Sequence, residues 1–178
     1  MIPDFEQNYG VAGKYILIMT RSENLSLDRH DRRILRELQR DATLSNAELA
    51  SRVGLSATPC WNRVKRLQAA GIITGTVALV NREAIGLGVT IFVAVRTNRH
   101  DRDWLTMFAE HVRNIPEVTE FYRMSGEVDY MLKVVAADIA DYDRIYKKLI
   151  ANIVIHDVSS SFAMEQIKYT TEVPVPGV

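Results

Sequence analysis

The polar residues best placed to act together lie in one short run. In GLSATPCWNRVKRLQAAG, residues 54–71, the side chains of Asn62, Arg63, Lys65 and Arg66 crowd into one stretch. Arginine and lysine reach phosphates and guanine edges, and asparagine pairs with adenine, so a helix carrying them has the chemistry of a DNA reader. Ser56, Ala57 and Thr58 are small enough for close approach to a groove, and Asn46 stands at the head of the preceding segment. Cys60, the only cysteine of the 178-residue chain, sits inside the same run. Its spacing with Val64 and Leu67 is i, i+4, i+7, which places it on an inward apolar face as a small core residue. Trp61 has two readings, packing beside the first helix or lying against a DNA backbone.

Catalytic chemistry finds no comparable grouping. The four histidines, His30, His100, His111 and His156, are scattered, with no histidine or cysteine at metal-ligand spacing. There is no glycine-rich phosphate loop and no Gly-x-Ser-x-Gly elbow. The tracts SGE and SSS have no evident partner base. No catalytic residue, metal or cofactor is therefore expected. The alternatives to a DNA reader are a scaffold whose basic helix docks another protein and a small enzyme without DNA binding.

The elements that must position the run are legible around it. LDRHDRRILRELQRD spaces Leu27, Asp31, Ile34, Leu35 and Leu38 as one helical face, with Asp28 as N-cap. SNAELASRVG opens on a capping box, Ser45 with Glu48, and ends at Gly54. Ser56 can cap a third helix, with Pro59 tolerated in its first turn, and Gly71 stops it. IITGTVALV then reads as a short strand. Three short helices, the last two joined through Gly54, make a helix-turn-helix.

The second half changes period. Residues 88–97 read as a strand and 101–115 as a helix with Trp104, Leu105, Phe108, Val112 and Ile115 inward. EVTEFYRMS and VDYMLKVVA are strands around a GE turn, and residues 138–152 form a helix with Ile139, Tyr142, Ile145, Tyr146 and Leu149 on one side. HDVSSSFAMEQIKYT is the last strand. The order β-α-β-β-α-β predicts a ferredoxin-like α+β domain, with both helices on one face of an antiparallel sheet. The bare face needs a cover, and a second copy of the chain is the simplest one.

The charge is balanced overall but unevenly placed. Residues 26–75 carry nine Lys/Arg against five Asp/Glu, a net +4, while residues 76–178 carry eleven against fourteen, a net −3. A basic module joined to an acidic one fits a polyanion binder coupled to something else. No apolar run approaches the roughly 20 residues that span a bilayer, so no membrane partner is expected. One cysteine excludes an intrachain disulfide and fits a reducing cytoplasm. The expected organisation is an arm at 1–25, within which Met19 is an alternative start, a helix-turn-helix at 26–75, a linker at 76–87 and a second domain at 88–174.

Over residues 25–174 the chain resembles the Lrp/AsnC, or feast/famine, transcriptional regulators. The segments carrying the resemblance are LDRHDRRILRELQRDATLSNAELASRVGLSATPCWNRVKRLQAAGII, SGEVDYMLKV and SSSFAMEQIKYT. ATPCWNRVKRL, VTEFYRMSGEVDY and DVSSSFAMEQIKYTT further resemble the subgroup with cysteine-responsive members. The resemblance implies a winged helix-turn-helix and an effector-binding domain, no enzyme, and dimers that assemble into tetramers or octamers. It implies an amino-acid effector, with L-cysteine the first candidate, and places its pocket around the loop Met124-Ser125-Gly126-Glu127-Val128-Asp129-Tyr130. The family commonly has Asp where this chain has Glu127. Chemically the loop suits an amino acid: Asp129 can take the ammonium, and amides around Ser125 and Gly126 the carboxylate. Ser160 and Ser161 on the last strand are further candidates. Gly126 also reads as a plain turn residue, and Asp129 as a cap or an interface ion pair. Paired reading helices imply an operator with an imperfect dyad and half-sites about one helical turn apart.

Overall fold

The computed structural model describes residues 26–99, 101–151 and 153–177. The arm at 1–25 and His100 lie outside them. The chain divides into two compact units, one of residues 26–78 with 169–177, the other of 79–168.

In the first unit, helix α1 is Arg29–Arg40, α2 is Asn46–Val53 and α3 is Ala57–Ala69. Local chemistry sets each end. The Asp28 carboxylate accepts the amides of His30 and Asp31, while Asp31 takes the amide of Asp28 in return, a reciprocal box. Ser45 and Glu48 make the same exchange ahead of α2. Gly54 turns the chain out of α2 at φ 74°, a left-handed conformation natural to glycine. Ile34, Leu49, Ala50, Val53, Cys60 and Leu67 close the core. Cys60 is wholly buried, as its spacing predicts, and desolvation pushes its thiol up and away from the reactive thiolate. Cys60→Val is expected to keep DNA binding and any amino-acid response intact, which anisotropy and melting measurements check directly.

The expected strand over 72–80 does not form. Ile72 and Ile73 pack on the helical core, and Val77, Leu79 and Val80 stand exposed. β-rich composition makes a strand only where a ladder partner exists, and none lies alongside among the described residues. Residues 169–177 belong to this unit instead of extending the last strand. The Gln39 side-chain amide bonds the backbone of Val173 in both directions, at 2.7 and 3.1 Å, and Arg40 pairs with Glu172.

The second unit is β1 (Val89–Arg96), α4 (Arg102–Arg113), β2 (Val118–Arg123), β3 (Tyr130–Ala136), α5 (Ile139–Ile150) and β4 (Asp157–Phe162). The sheet is antiparallel in the order β2-β3-β1-β4, the ferredoxin-like arrangement expected from sequence. Ile91, Val93 and Val95 on one face of β1 meet Trp104, Phe108 and Val112 of α4 and Tyr142, Ile145 and Leu149 of α5. Tyr130, with rings of Trp104, Phe108 and Phe121 around it, is core. Ile139 departs from its expected inward position: at the first turn of α5 it is exposed. The last strand ends at Phe162, and Met164 and Ile167 beyond it are exposed. The face of the sheet away from the helices presents Phe92 and Tyr122 to solvent, with Glu120 bonding Lys133 and the Tyr122 hydroxyl.

Candidate functional site

The outer side of α3 carries Asn62 and Lys65 in the open, one turn above Thr58. Trp61 is 51 % exposed, and the Lys65 ammonium lies 5.7 Å from its ring centroid. Trp61 therefore belongs to the surface of α3 and not to the packing beside α1. It carries a cation over its face. At the head of α3, Ser56 occupies the N-cap but its hydroxyl makes no capping bond, and no acidic residue lies in the first turn. Pro59 has no amide proton to satisfy. The amides of Ala57 and Thr58 thus form an uncapped positive helix end, with small side chains around it, suited to a phosphate oxygen.

Two of the basic residues behave differently from their helical-wheel expectation. Arg63 and Arg66 do not project freely away from the core. The Arg63 guanidinium turns back to Asp28 at 2.6 Å and Asp31 at 2.8 Å, and Arg66 reaches Asp31 at 2.5 Å. Asp31 is 0 % exposed, so it is a buried carboxylate neutralised by two arginines. Arg66 stays 45 % exposed, with donors left for a ligand, while Arg63 is 27 % exposed and bound on both sides. Asn46 is likewise occupied, its amide donating to the Ala57 carbonyl at 2.8 Å and tying α2 to the start of α3. Exposed together on this side are Ser56, Ala57, Thr58, Trp61, Asn62, Lys65 and the outer edge of Arg66. Asn46 and Arg63 hold the helix in place. Asp31, which the sequence offers only as one position of a helical face, is the anchor of that arrangement.

The same cluster has a pH signature. The Asp31 amide, aided by Arg63 and opposed by partial burial, holds the Asp28 carboxyl at about 2, below its ordinary 3.8. A depressed carboxylate stabilises the fold fully above its unfolded value, and the gain is lost as pH falls through the folded one. Far-UV circular dichroism under urea is expected to show the first unit weakening between pH 4 and 2, less steeply in Asp28→Ala.

In the second unit, the loop between β2 and β3 holds Met124, Ser125, Gly126 and Glu127 in the open. Gly126 has φ 123°, a backbone that a side chain would strain. Asp129 is tied into the sheet. Its carboxylate accepts the Thr97 amide at 2.8 Å, its own amide donates to the Val95 carbonyl, and its carbonyl accepts the Met124 amide. Glu127 and Asp157 both lie near the Arg96 guanidinium, at 3.9 and 4.0 Å. Ser160 and Ser161 separate onto opposite faces of the sheet. Ser160 pairs in register with Val93 and hydrogen-bonds the Tyr142 hydroxyl on the helix side, and Ser161 pairs with Phe92 on the open side. Of the two, Ser161 faces whatever covers the open face.

Known proteins bear on both units. Residues 27–74 match the family model described as winged helix-turn-helix DNA-binding, and residues 90–173 match the Lrp/AsnC ligand binding domain. The chain is 50 % identical over 150 residues to the DNA-binding transcriptional activator DecR of Escherichia coli, covering 84 % of this chain and 99 % of that protein. It is similar to the crystal structure of an AsnC family transcriptional regulator from Agrobacterium tumefaciens, with TM-score 0.81, 57 % identity, and 83 % and 97 % of the two chains covered. A transcriptional regulator of Neisseria meningitidis, solved as a complex with L-methionine, is similar at TM-score 0.80 and 37 % identity, over 84 % and 97 % of the two chains.

Proposed function

Because the chain belongs to the Lrp/AsnC family of transcriptional regulators, we propose that it is a sequence-specific DNA-binding regulator whose second unit binds a small amino acid. The observation that carries the reading is the head of α3: an uncapped helix end flanked by Thr58, Asn62 and Lys65, exposed together. Amides and cations there position the phosphate backbone, and Asn62 supplies the bidentate geometry that recognises adenine. Residues 26–75 form the reading module, and residues 88–174 sense the effector and assemble the protein. The regulator works in the cytoplasm, where its DNA is and where the single cysteine stays reduced.

The open sheet face, with Phe92 and Tyr122 exposed, is covered by a second copy. Paired reading helices then face two half-sites. The effector contacts the loop at Met124, Ser125, Gly126 and Glu127, its ammonium at Asp129, with Ser161 and Ser160 at the margin. That the Neisseria relative holds L-methionine supports an amino acid as ligand, and L-cysteine is the first candidate on the subgroup resemblance. Higher assembly, to tetramer or octamer, lets effector binding change which spaced sites are occupied together.

Two experiments test this. Selection of bound duplexes from a random pool is expected to return an imperfect palindrome with half-sites about one helical turn apart; a pool left unenriched refutes sequence-specific reading. Melting the protein with each of the twenty amino acids, cysteine first and under reducing conditions, is expected to reveal one stabilising ligand. At a hundred times its dissociation constant such a ligand adds about 2.7 kcal/mol. The shift is expected to vanish in Asp129→Asn, and a full shift in that variant removes the ammonium contact.

A further inference from the structure

The outer face of α1 carries a row of arginines that the reading module does not use. Arg29, Arg33 and Arg36 line a cavity of about 460 Å³ that Gly177 closes on one side. On the helix these residues lie opposite Asp31, Ile34 and Leu38, which face the core and α3. The row is therefore turned away from the Arg63–Asp31–Arg66 cluster and from the surface that α3 presents.

Among the described residues neither Arg29 nor Arg36 has an ion-pair or hydrogen-bond partner. Arg33 donates one Nη2 proton to the Arg52 carbonyl at 3.1 Å and keeps its other donors. Beside Gly177, the Arg32 Nε is buried and has no partner among the described residues. Gly177 sits so close to that guanidinium that a β-carbon there would come within 3.3 Å of it. The nearby acids are spoken for: Glu37 pairs with Arg52 and Glu172 with Arg40. Like charges at i, i+3 and i+4 along one helix face repel, and an anion seated among them relieves that repulsion.

We propose that this cavity is a binding site for a small phosphate-bearing polyanion, of the oligophosphate or nucleotide class. Guanidinium forks match the oxygen pairs of phosphate better than any other cationic side chain. Three forks around one cavity suit a ligand with several phosphate oxygens. The volume lies within the range of small-molecule sites. The inference does not rest on the DNA-binding reading, because the row lies on the other side of α1.

The test uses the full chain and inorganic tripolyphosphate, titrated calorimetrically at constant ionic strength with sulfate as the screening control. Saturable binding is expected, with a rise in melting temperature that sulfate does not reproduce. In R29Q/R33Q/R36Q the affinity is expected to fall at least about tenfold. R29Q/R36Q serves as a second variant, since among the described residues neither side chain makes a hydrogen bond or ion pair. DNA affinity and its salt slope are expected to be unchanged in both variants. Absence of saturable binding, or binding that persists in both variants, overturns the site. A DNA salt slope that falls by about three in the triple variant, without tripolyphosphate binding, also overturns it and assigns the row to the DNA backbone.

Discussion

Replacing Asp31 with alanine is expected to destabilise the helix-turn-helix unit by about 3 kcal/mol, the largest effect of any polar substitution in it. Three losses add. The carboxylate is 0 % exposed and takes both Arg63 and Arg66, so its removal takes the ion-pair partner from Arg66 and leaves Arg63 with Asp28 alone. Asp31 also closes the box at the start of α1 by accepting the Asp28 amide. And α3 loses two of the ion pairs that tie it to α1. The arginines are half-exposed and can rehydrate, which holds the cost below that of a fully buried pair. Urea unfolding checks the magnitude. Asp31→Asn keeps the shape and one acceptor and is expected to fall between alanine and wild type. A loss under about 0.5 kcal/mol, the level of an ordinary surface change, contradicts the anchoring role.

The second large effect separates reading from holding. Asn62→Ala is expected to cost about 1–3 kcal/mol on the operator and nothing on scrambled DNA, because a base contact carries sequence information. Lys65→Ala is expected to weaken both about equally and to lower the salt slope by about one, as loss of a phosphate contact does. Arg63→Ala is expected to lower stability first, since its guanidinium is committed to Asp28 and Asp31. Affinities on the two DNAs, measured beside urea unfolding of each variant, sort the three. An Arg63→Ala protein of full stability that loses only operator affinity returns Arg63 to the reading face.

Elements whose signals are local were legible in the sequence. Asp28, the Ser45–Glu48 pair and Gly54 bracket α1 and α2 through bonds spanning a few residues, and each is found. Cys60 with Leu67, and Ile91 with Val93 and Val95, follow helical and strand periods into two cores. What was not legible depends on partners far along the chain. Helical spacing gives the direction of a Cβ, but a guanidinium several bonds further out goes where its counter-charge is. Arg63 and Asp31 are 32 residues apart. The signal that could have found the pair is an acid set into the apolar face of α1. Residues 72–80 carry strand-forming residues but have no ladder to join among the described residues, so composition misled there. In the loop between β2 and β3 the turn at Gly126 was legible, but the hold of the Thr97 amide on Asp129, again across 32 positions, was not.

The measurement that bears most directly on the whole account is an anisotropy titration of the full chain. It uses labelled selected operator and a scrambled duplex, at several salt concentrations, with and without the stabilising amino acid. Operator binding is expected to be at least about a thousandfold tighter than binding to scrambled DNA. A log–log salt slope of several charges from phosphate contacts is expected as well, with an operator affinity that the amino acid changes by about fivefold or more. Equal affinity for the two duplexes, or an operator affinity that no amino acid alters, contradicts the proposed function.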